Sequence, residues 1–426
     1  MGEMQAIRGT RDILPAEVGY WQFVESTAGQ ILGRALYQEI RTPMFENTSL
    51  FERGIGEATD VVGKEMYTFL DRGDRSLTLR PEGTAGVARA YIEHKLQAAG
   101  GIQRLWYKGP MFRYERPQAG RQRQFHQIGV EVLGSDDPRA DVEAIALATE
   151  ILKALGLENL KLDLNSVGNG EDRQSYRQAL IDYLTPYRDS LDEDSRERLS
   201  KNPLRILDSK DEKTKEICRN APSILDHLGE ESRKHFDRVR SLLTDLGIVY
   251  RVNPCLVRGL DYYTRTAFEI ISDDLGAQAT VCGGGRYDGL IAQLGGAPTP
   301  AVGWAIGLER LILLLQQKRA NPVLIPDFYL VSKGEKAEAI GVVLAKQLRE
   351  QGFSVELDLS GSAFGKQFKR ADRSGAIVCL ILGDEEAEGG TVRLKWMQTQ
   401  EQVSLSREEL LNRQEMLRNQ IDRHKS

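Results

Sequence analysis

One stretch of the chain places a carboxylate and a hydroxyl together at the predicted end of a strand. The alternating run Ser76–Arg80 stops at Pro81, and Glu82 and Thr84 follow at once. Such a pair could hold a substrate ammonium group through charge-assisted hydrogen bonds. The same residues could instead begin a helix with Thr84 as its N-cap. The spacing alone leaves both interpretations open.

A second stretch combines arginines with polar side chains that share a strand face. Four arginines fall within a predicted unit of two strands and a loop: Arg113, Arg116, Arg121 and Arg123. The planar guanidinium group suits phosphate. Side chains alternate along a strand, so Gln127 and Glu131 point to the same side. This pattern predicts a lined pocket, although an ordinary solvated hairpin with surface arginines would have the same sequence.

Two further segments carry charged groups in unusual surroundings. Arg258 precedes a glycine and the adjacent tyrosines Tyr262 and Tyr263, which could also be an aromatic loop packed against the core. Glu309 and Arg310 lie inside Val302–Gln317, a predicted apolar helix. A charged pair in an apolar helix is costly unless it is paired or serves a ligand. The alternative is an ion pair at the surface.

Three consecutive glycines, Gly283, Gly284 and Gly285, follow the predicted strand Ala279–Cys282. A backbone without side chains can approach a ligand closely, or can simply form a tight turn. The segment matches neither the GxxxxGK[ST] phosphate loop nor GxGxxG at the start of a long helix. The sequence therefore supports neither a P-loop NTPase nor a Rossmann dehydrogenase.

The elements that must position these residues fall into two predicted domains, 1–325 and 326–426. Residues 170–250 are rich in charged side chains with helical periodicity, so we expect a helical insertion within the first domain. Beyond residue 326 strands and helices alternate, which predicts a small α/β domain with a mostly parallel sheet. In the first domain the predicted helices are 17–37, 84–95, 141–155 and 302–317, and the predicted strands are 76–80, 104–114, 122–133, 160–167, 249–252, 266–271 and 279–282.

Composition narrows the class of protein. The four cysteines are far apart without a CxxC pair, which argues against a disulfide framework and a zinc site and favours a reducing cytoplasm. The longest apolar stretches, such as Ile377–Leu382, are too short to span a bilayer, and no secretory signal is expected at the start. A net charge of -5 argues against non-specific wrapping of nucleic acid but leaves room for local basic patches.

Taken in order, these segments resemble one family over nearly the whole chain: the histidyl-tRNA synthetases, within the class II aminoacyl-tRNA synthetases. Two segments are similar to signatures of the histidine enzymes, Leu256–Thr264 and Cys282–Tyr287. The other matches are Arg8–Pro15 with the family's opening, Pro43 with motif 1, Phe112–Glu115 and its loop with motif 2, and Gly303–Arg310 with motif 3.

The resemblance implies an α+β class II synthetase catalytic domain, an antiparallel sheet with flanking helices, with a helical insertion, plus a C-terminal α/β anticodon-binding domain. It implies a homodimer whose interface is built by motif 1. It also implies a reaction in which histidine and ATP, with Mg²⁺, form histidyl-adenylate and pyrophosphate. The histidyl group then passes to the 3′-terminal adenosine of tRNA(His). No protein-bound metal and no membrane association are expected.

The resemblance also implies roles for individual residues. Glu82, Thr84 and Gln127 would hold the α-ammonium group of histidine. Glu131 and Tyr263 would hold its imidazole nitrogens, with Tyr262, Gly283, Gly284 and Gly285 lining the pocket. Arg113 and Arg258 would be catalytic, with Arg113 on the α-phosphate of ATP and Arg258 between that phosphate and the histidine carboxylate. Arg121 would also contact ATP, and Arg310 would reach its far phosphates.

Contacts with tRNA are implied in three places. Arg116 and Gln118 would reach the acceptor end, and the helical insertion would clasp the acceptor arm. A basic stripe in the C-terminal domain would contact the tRNA, although a solvated helix face would have the same spacing. The residues of this stripe are Lys366, Lys369, Arg370 and Arg373.

Two alternatives share the fold. The regulatory subunit of ATP phosphoribosyltransferase does not charge tRNA, and as a family it lacks the anticodon-binding domain and has degraded ATP motifs. Here about 100 residues follow Pro326, and Arg113, Arg258 and Arg310 are all present. A prolyl or threonyl enzyme is disfavoured by the two histidine signatures, and the threonyl enzyme also by the absence of Cys/His zinc-ligand spacing.

Overall fold

The computed structural model describes residues 4–56, 59, 61–209, 211–274, 280–321 and 325–425. It divides into two compact units, Met1–Pro322 and Val323–Ser426. Two sequence-based expectations touch residues outside the described ranges: the start of a strand at Ala279, and the stretch 322–324 beside the predicted domain boundary.

The first unit contains ten α-helices and eleven strands within the described ranges. Its helices are α1 (Pro15–Arg34), α2 (Thr48–Ile55), α3 (Thr84–Glu93), α4 (Pro138–Ala154), α5 (Gly170–Leu184), α6 (Glu193–Lys201), α7 (Glu212–Cys218), α8 (Glu230–Asp245), α9 (Leu290–Gln293) and α10 (Leu308–Lys318). Its strands are β1 (Gln38–Glu39), β2 (Phe45–Asn47), β3 (Tyr67–Leu70), β4 (Ser76–Leu79), β5 (Gln103–Phe112), β6 (Gln124–Leu133), β7 (Leu160–Ser166), β8 (Tyr250–Val252), β9 (Thr264–Ser272), β10 (Thr280–Arg286) and β11 (Ala301–Gly307).

Eight of these strands form the central sheet, in the order β1-β5-β6-β11-β10-β9-β7-β8. The pairs from β5 to β7 are antiparallel, whereas the edge pairs β1–β5 and β7–β8 are parallel. The predicted antiparallel sheet with flanking helices is therefore confirmed, with parallel pairing added at both edges. Its register sets Glu131 of β6 opposite Gly303 of β11, which lies opposite Gly285 of β10.

One face of this sheet is covered by helices and forms the main core. Trp21 of α1, Ile145 of α4, Phe236 of α8 and Leu311 of α10 are buried there together with Trp304 of β11. The opposite face carries a smaller cluster that is rich in tyrosine, including residues of β5 and the segment before β9. Polar groups are concentrated on that second face, and the candidate site lies there.

The predicted helix Val302–Gln317 is wrong in its first part, because residues 301–307 form β11 and the helix starts only at Leu308. Val302, Trp304 and Ile306 are buried on one side, and small residues occupy the positions between them. This is the period-two pattern of a strand. Glu309 and Arg310 consequently lie in the first turn of α10 and not in the middle of a long apolar helix.

The alternative that the three consecutive glycines form a tight turn is wrong. Gly283, Gly284 and Gly285 are strand residues of β10, paired with β9 on one side and β11 on the other. A Cβ atom on Gly284 would lie 2.2 Å from the carbonyl oxygen of Gly303. Side chains are therefore excluded here because the neighbouring strand is too close.

Within the predicted insertion, 170–250, helices and short turns surround a hydrophobic cluster of their own. Tyr176, Leu180, Ile206 and Ile224 belong to that cluster. The last helix, α8, instead packs on α4 and contributes Phe236 to the main core. The short 3-10 turns of the insertion are Thr185–Ser190, Pro203–Asp208 and Ile224–His227.

A three-stranded sheet, β2-β4-β3, stands apart from the central sheet. Four large apolar side chains in or beside this sheet are exposed, namely Met44, Phe45, Phe69 and Leu70. Exposed apolar residues that cluster in this way mark interaction surfaces.

The second unit has a five-stranded sheet made of β12 (Phe328–Ser332), β13 (Val355–Leu357), β14 (Val378–Leu382), β15 (Thr391–Trp396) and β16 (Gln402–Ser406). The order across the sheet is β13-β12-β14-β15-β16. The pairs β13–β12 and β12–β14 are parallel, whereas β14–β15 and β15–β16 are antiparallel. The predicted α/β domain is therefore confirmed, but the expectation of a mostly parallel sheet is wrong, because the sequence did not reveal the β15–β16 hairpin. Its helices are α11 (Glu335–Glu350), α12 (Phe364–Ser374), α13 (Asp384–Gly389), α14 (Arg407–Asn412) and α15 (Gln414–Lys425). Among the described helices, none combines the length and apolarity needed to cross a membrane.

Candidate active site

A cavity of about 430 Å³ opens on the polar face of the central sheet. Ten of the residues proposed from the sequence line it: Glu82, Thr84, Arg113, Arg121, Gln127, Arg258, Tyr262, Tyr263, Gly283 and Arg310. Glu131 lies just behind the wall, where it bonds to a lining residue. Gly284 and Gly285 follow Gly283 in β10 but are not among the lining residues. The structure thus brings together residues spread from position 82 to position 310.

At one end of the cavity, the side chain of Glu82 contacts the start of helix α3 and also lines the cavity. Its carboxylate accepts hydrogen bonds from the backbone N–H groups of Thr84, at 2.7 Å, and Ala85, at 2.8 Å. Thr84 is the first residue of α3, so the alternative that made Thr84 the N-cap is wrong, while the helix start itself is present. Burial raises the pKa of Glu82. One carboxylate therefore both satisfies the helix end and faces the cavity.

Glu131 is the buried carboxylate of this end. It accepts hydrogen bonds from the hydroxyl of Thr84, at 2.7 Å, and from the hydroxyl of Tyr287. Burial raises its pKa to about 8. Gly303 leaves room for it, because a Cβ atom there would lie 2.0 Å from the Glu131 Oε2 atom. The strand register and the glycine together fix the carboxylate in place.

Tyr107 and Tyr287 also belong to this end, and the sequence did not single them out as site residues. The ring of Tyr107 packs between Gly83 and Gly129, and a Cβ atom on either glycine would lie 2.2 Å from the ring. The signal available in the sequence was the pair of glycines on facing elements, which becomes meaningful only once β5 is known to pair with β6.

Gln127 presents an unused acceptor. Its side-chain Oε1 atom is buried and has no hydrogen-bond partner among the described residues. Buried polar atoms are nearly always paired in folded proteins, so an isolated one in a cavity wall indicates a place for a ligand donor. Glu82 and Thr84 line the same cavity, so an ammonium group is a suitable donor.

The other end of the cavity is rich in guanidinium groups. Arg113 donates to the carbonyl oxygen of Pro81 at 2.8 Å, and Arg121 forms an ion pair with Glu115. Arg310 donates to the carbonyl oxygen of Thr280 at 2.6 Å. Burial, with Arg121 nearby, lowers the pKa of Arg310. Converging positive groups of this kind suit a polyphosphate.

Arg258 connects the two ends. Its guanidinium group pairs with Glu269 of β9, lies against Gly283 and is 5.8 Å from the centre of the Tyr263 ring. Glu269 in turn accepts from the hydroxyl of Thr280, at 3.2 Å, and the carbonyl of Thr280 is held by Arg310. Arg258 therefore sits between the tyrosine-lined end and the arginine-rich end.

Four acidic or hydroxyl groups at the arginine-rich end were not proposed from the sequence: Glu115, Glu269, Thr280 and Glu309. Glu115 pairs with Arg121, Glu269 pairs with Arg258, and the carbonyl oxygen of Thr280 accepts from Arg310. Glu309 accepts from the backbone N–H and the Nδ1 atom of His126, both at 2.9 Å. Glu309 stood out in the sequence only as part of a charged pair. No local pattern distinguishes Glu115 or Glu269 from surface carboxylates, because Arg121 and Arg258 become their partners only in the folded chain.

The residues proposed for RNA contact lie outside this cavity. Arg116 and Gln118 are exposed on the loop between β5 and β6. On α12, Lys366, Lys369 and Arg373 are exposed, while Arg370 is half-buried and pairs with Asp358 at 2.8 Å. The basic stripe is thus a single helix face with one member engaged within its own unit.

Two family models match the chain. A model described as histidyl-tRNA synthetase matches residues 9–311, and one described as anticodon binding domain matches residues 327–415. The two matched ranges fall within the two structural units.

Known proteins similar to the chain agree with these models. A histidine–tRNA ligase of Microcystis aeruginosa is 80% identical over 426 residues, which is 100% of both chains. The solved structure of apo histidyl-tRNA synthetase from S. aureus has a TM-score of 0.81 at 38% identity and covers 96% of this chain and 99% of its own. A Bacillus halodurans structure described as ATP phosphoribosyltransferase regulatory subunit/histidyl-tRNA synthetase has a TM-score of 0.64 at 24% identity. The match covers 87% of this chain and 97% of the Bacillus chain, and it shows the fold alone.

Proposed function

Because this chain belongs to the histidyl-tRNA synthetase family, we propose that it activates histidine with ATP and transfers the histidyl group to the 3′-terminal adenosine of tRNA(His). One observation carries the proposal: a single cavity holds buried carboxylates at one end and arginines at the other, with Arg258 between them. That arrangement matches an amino acid and a nucleoside triphosphate placed end to end.

The histidine would lie at the end formed by Glu82, Gln127 and Glu131. Its α-ammonium group would be held by Glu82, by the hydroxyl of Thr84 and by the free acceptor of Gln127. Charge-assisted bonds of this kind are about twice as strong as neutral ones.

The imidazole ring would lie between Glu131 and Tyr263, with Tyr262 and Gly283 beside it. A carboxylate and a phenol can pair with both ring nitrogens. A site built on buried hydrogen bonds rejects analogues that lack them by about 10⁴-fold or more, since its own groups are then left without partners. This supports selection of histidine over apolar amino acids of similar size.

The ATP phosphates would lie among Arg113, Arg121 and Arg310. The histidine carboxylate is already a nucleophile, so adenylate formation needs positioning and neutralisation of phosphoryl charge, not a general base. Arg113 would grip the α-phosphate, and Arg258 would bridge it to the attacking carboxylate. Arginine supplies the fixed fork that such bidentate contacts require.

Magnesium would enter with the ATP. The carboxylates near the phosphates are already engaged, Glu269 with Arg258 and Glu309 with His126. Mg²⁺ commonly binds through substrate phosphates with few protein ligands, and the site fits that mode. The ion would neutralise charge on the departing pyrophosphate.

Transfer to tRNA would use elements outside the cavity. Arg116 and Gln118, which are exposed on the loop between β5 and β6, would contact the acceptor end of the tRNA. The second unit would bind the anticodon region. The exposed side chains of α12 support this, because lysine and arginine contacts to phosphate dominate nucleic-acid affinity.

Replacing Lys366, Lys369 and Arg373 together by alanine should lower kcat/KM for tRNA by about 10-fold or more in charging assays. The dependence of that constant on salt should also weaken by about one logarithmic unit of slope per cation removed. The control is Lys346→Ala, an exposed lysine of α11 that pairs with Glu350. Unchanged kcat/KM and salt slope in the triple variant would show that this face does not touch tRNA.

A homodimer is proposed on the exposed apolar surface of the small sheet. Phe45, Phe69 and Leu70 are 52%, 45% and 64% exposed, and Phe45 follows two residues after Pro43, the residue that resembles motif 1. A second copy of the chain would cover this surface.

A cytoplasmic location is proposed on the four free cysteines, which fit a reducing compartment.

The alternative of a regulatory subunit that does not charge tRNA is not supported. The 80% identical relative is a histidine–tRNA ligase over its full length, and the second unit matches the anticodon binding domain model. The cations that this alternative would lose, Arg113, Arg258 and Arg310, all line the cavity.

The experiment that tests the proposed function is amino-acid-dependent ATP–pyrophosphate exchange with Mg²⁺ and no tRNA, each standard amino acid being tried alone. Exchange with histidine only is expected. Exchange with another amino acid would overturn the assignment of the imidazole pocket. Histidine binding without exchange, in folded protein, would favour the regulatory subunit.

A further inference from the structure

The loop between β8 and β9 that carries Arg258 and Tyr263 is held by side chains from the insertion. Arg205, in the 3-10 turn Pro203–Asp208, donates to the carbonyl oxygen of Gly259 at 2.6 Å. Arg173 of α5 donates to the carbonyl oxygen of Tyr263 at 3.1 Å. Each arginine thus binds the backbone at, or one residue from, a proposed active-site residue.

Asp261 strengthens this connection. Its Oδ1 atom accepts from both Arg205 and Asn202, each at 3.1 Å. Its backbone N–H donates to the carbonyl oxygen of Ile55 at 3.2 Å, at the end of α2. A Cβ atom on Gly56 would lie 2.9 Å from its Oδ2 atom, so Asp261 fits tightly there. The loop is therefore fastened between α2 and the insertion.

The two sides of the loop are fixed by different parts of the fold. Before Arg258, Asn165 of β7 donates to the carbonyl oxygen of Leu256 at 2.9 Å, so the central sheet holds that side. After Arg258, the hydrogen bonds from Arg205 and Arg173 come from the insertion. Arg173 and Arg205 would contribute little to the position of the loop if the loop were packed tightly against its neighbours.

Packing around this side of the loop is incomplete. A cavity of about 230 Å³ separates the loop from the insertion, and Arg173, Arg205, Arg258 and Tyr263 all line it. Close packing is what normally fixes a backbone segment. Where it is missing, directed hydrogen bonds must supply the rigidity. The side chain of Arg205 is only 14% exposed, so its bonds are shielded from competition by water.

We propose that Arg173 and Arg205 are positioning residues for histidine activation, through which the insertion sets the placement of Arg258 and Tyr263. The proposal rests on the roles proposed above for those two residues. Arg205 acts next to Arg258, the group that would bridge the reacting carboxylate and phosphate, and Arg173 acts on Tyr263, which would hold the imidazole. The insertion is then part of the activation site even when no tRNA is bound.

The test is steady-state histidine-dependent pyrophosphate exchange on the full chain without tRNA. Arg205→Ala is expected to lower kcat by about 10- to 100-fold with little change in KM for histidine, because a displacement near 1 Å at the reacting groups costs up to about 100-fold. Arg173→Ala is expected mainly to raise KM for histidine, by about 10-fold. Arg205→Lys, which keeps a charged donor, should recover part of the lost kcat.

Asp261→Asn supplies a second variant that weakens the connection from the loop side. It should lower kcat by less than Arg205→Ala does, because the hydrogen bond from Arg205 to the carbonyl oxygen of Gly259 remains. The double variant should be little worse than Arg205→Ala alone, since that variant has already lost the contact between Arg205 and Asp261. The matched control is Arg188→Ala, an exposed arginine of the insertion in the turn Thr185–Ser190. Thermal unfolding of each variant separates misplacement from unfolding.

The outcomes are distinguishable. Wild-type exchange with histidine, together with variants that keep wild-type kcat and KM or that merely match Arg188→Ala, would overturn the positioning role alone. Additive losses in the double variant would also overturn it. A wild-type chain that does not exchange with histidine would instead overturn the proposed function.

Discussion

Replacing Glu131 with alanine is expected to abolish histidine-dependent pyrophosphate exchange, a loss of about 10⁴-fold or more in kcat/KM. Glu131 is buried and accepts from the hydroxyls of Thr84 and Tyr287. Without the carboxylate, those two hydroxyls lose their acceptor and the imidazole of the substrate loses its proposed partner. The matched control is Glu150→Ala, an exposed glutamate of α4. Near-normal exchange in the Glu131 variant would contradict the pocket assignment.

The melting temperature of Glu131→Gln, measured at several pH values, tests the raised pKa of Glu131. Burial raises the pKa of Glu131 from 4.5 to about 8, so the folded protein binds this proton more tightly than the unfolded chain. Its contribution to the free energy of unfolding is complete below 4.5 and is lost as the pH rises through about 8. The melting temperature of the glutamine variant, relative to wild type, should therefore increase over that range. A constant difference would contradict the raised pKa.

Replacing Arg258 with alanine is expected to lower kcat for exchange by about 10³-fold, the size of effect seen when a fixed group that stabilises developing charge is removed. Arg258 lies between the tyrosine-lined and arginine-rich ends, held by Glu269 and resting on Gly283. With alanine there, the bridge between carboxylate and α-phosphate is gone, and Glu269 loses its cation. Initial exchange rates at saturating histidine and ATP measure the effect.

Two variants control this result. Arg258→Lys keeps the charge but not the planar fork, so it should recover only part of the rate. Arg34→Ala removes an exposed arginine at the end of α1, and no change is expected. A kcat for Arg258→Ala within about 10-fold of wild type would mean that charge on the phosphate is neutralised by other groups.

Much of the fold followed from local patterns. The amphipathic spacing of α1 and the alternation along β6 led to the observed elements. Val302–Gly307 was misassigned because an apolar run reads alike as a buried helix or a buried strand, and only its partners β6 and β10 decide between them.

The site followed less from patterns than from family resemblance. Taken singly, Glu82 and Arg258 had ordinary structural explanations, and Glu82 does in fact cap α3. Glu269 and Tyr107 could not be found from spacing, because their importance depends on contacts with Arg258 and with Gly83 and Gly129. Tyr107 meets the two glycines only through long-range packing. Glu269 follows 11 residues after Arg258, but the two side chains pair only because the loop folds back along β9.

The glycine-lined floor of the cavity limits how its specificity could be redesigned. Any side chain at Gly303 would collide with Glu131 and with the carbonyl oxygen of Val130, and one at Gly283 would displace the guanidinium group of Arg258, so neither glycine can be replaced without disturbing the site. Space for a bulkier histidine analogue can be gained only from the wall. Tyr107 is the obvious position, since its ring fills the gap between two glycines. Engineering for unnatural substrates, and the design of inhibitors that extend past the imidazole, would therefore start at the tyrosine wall.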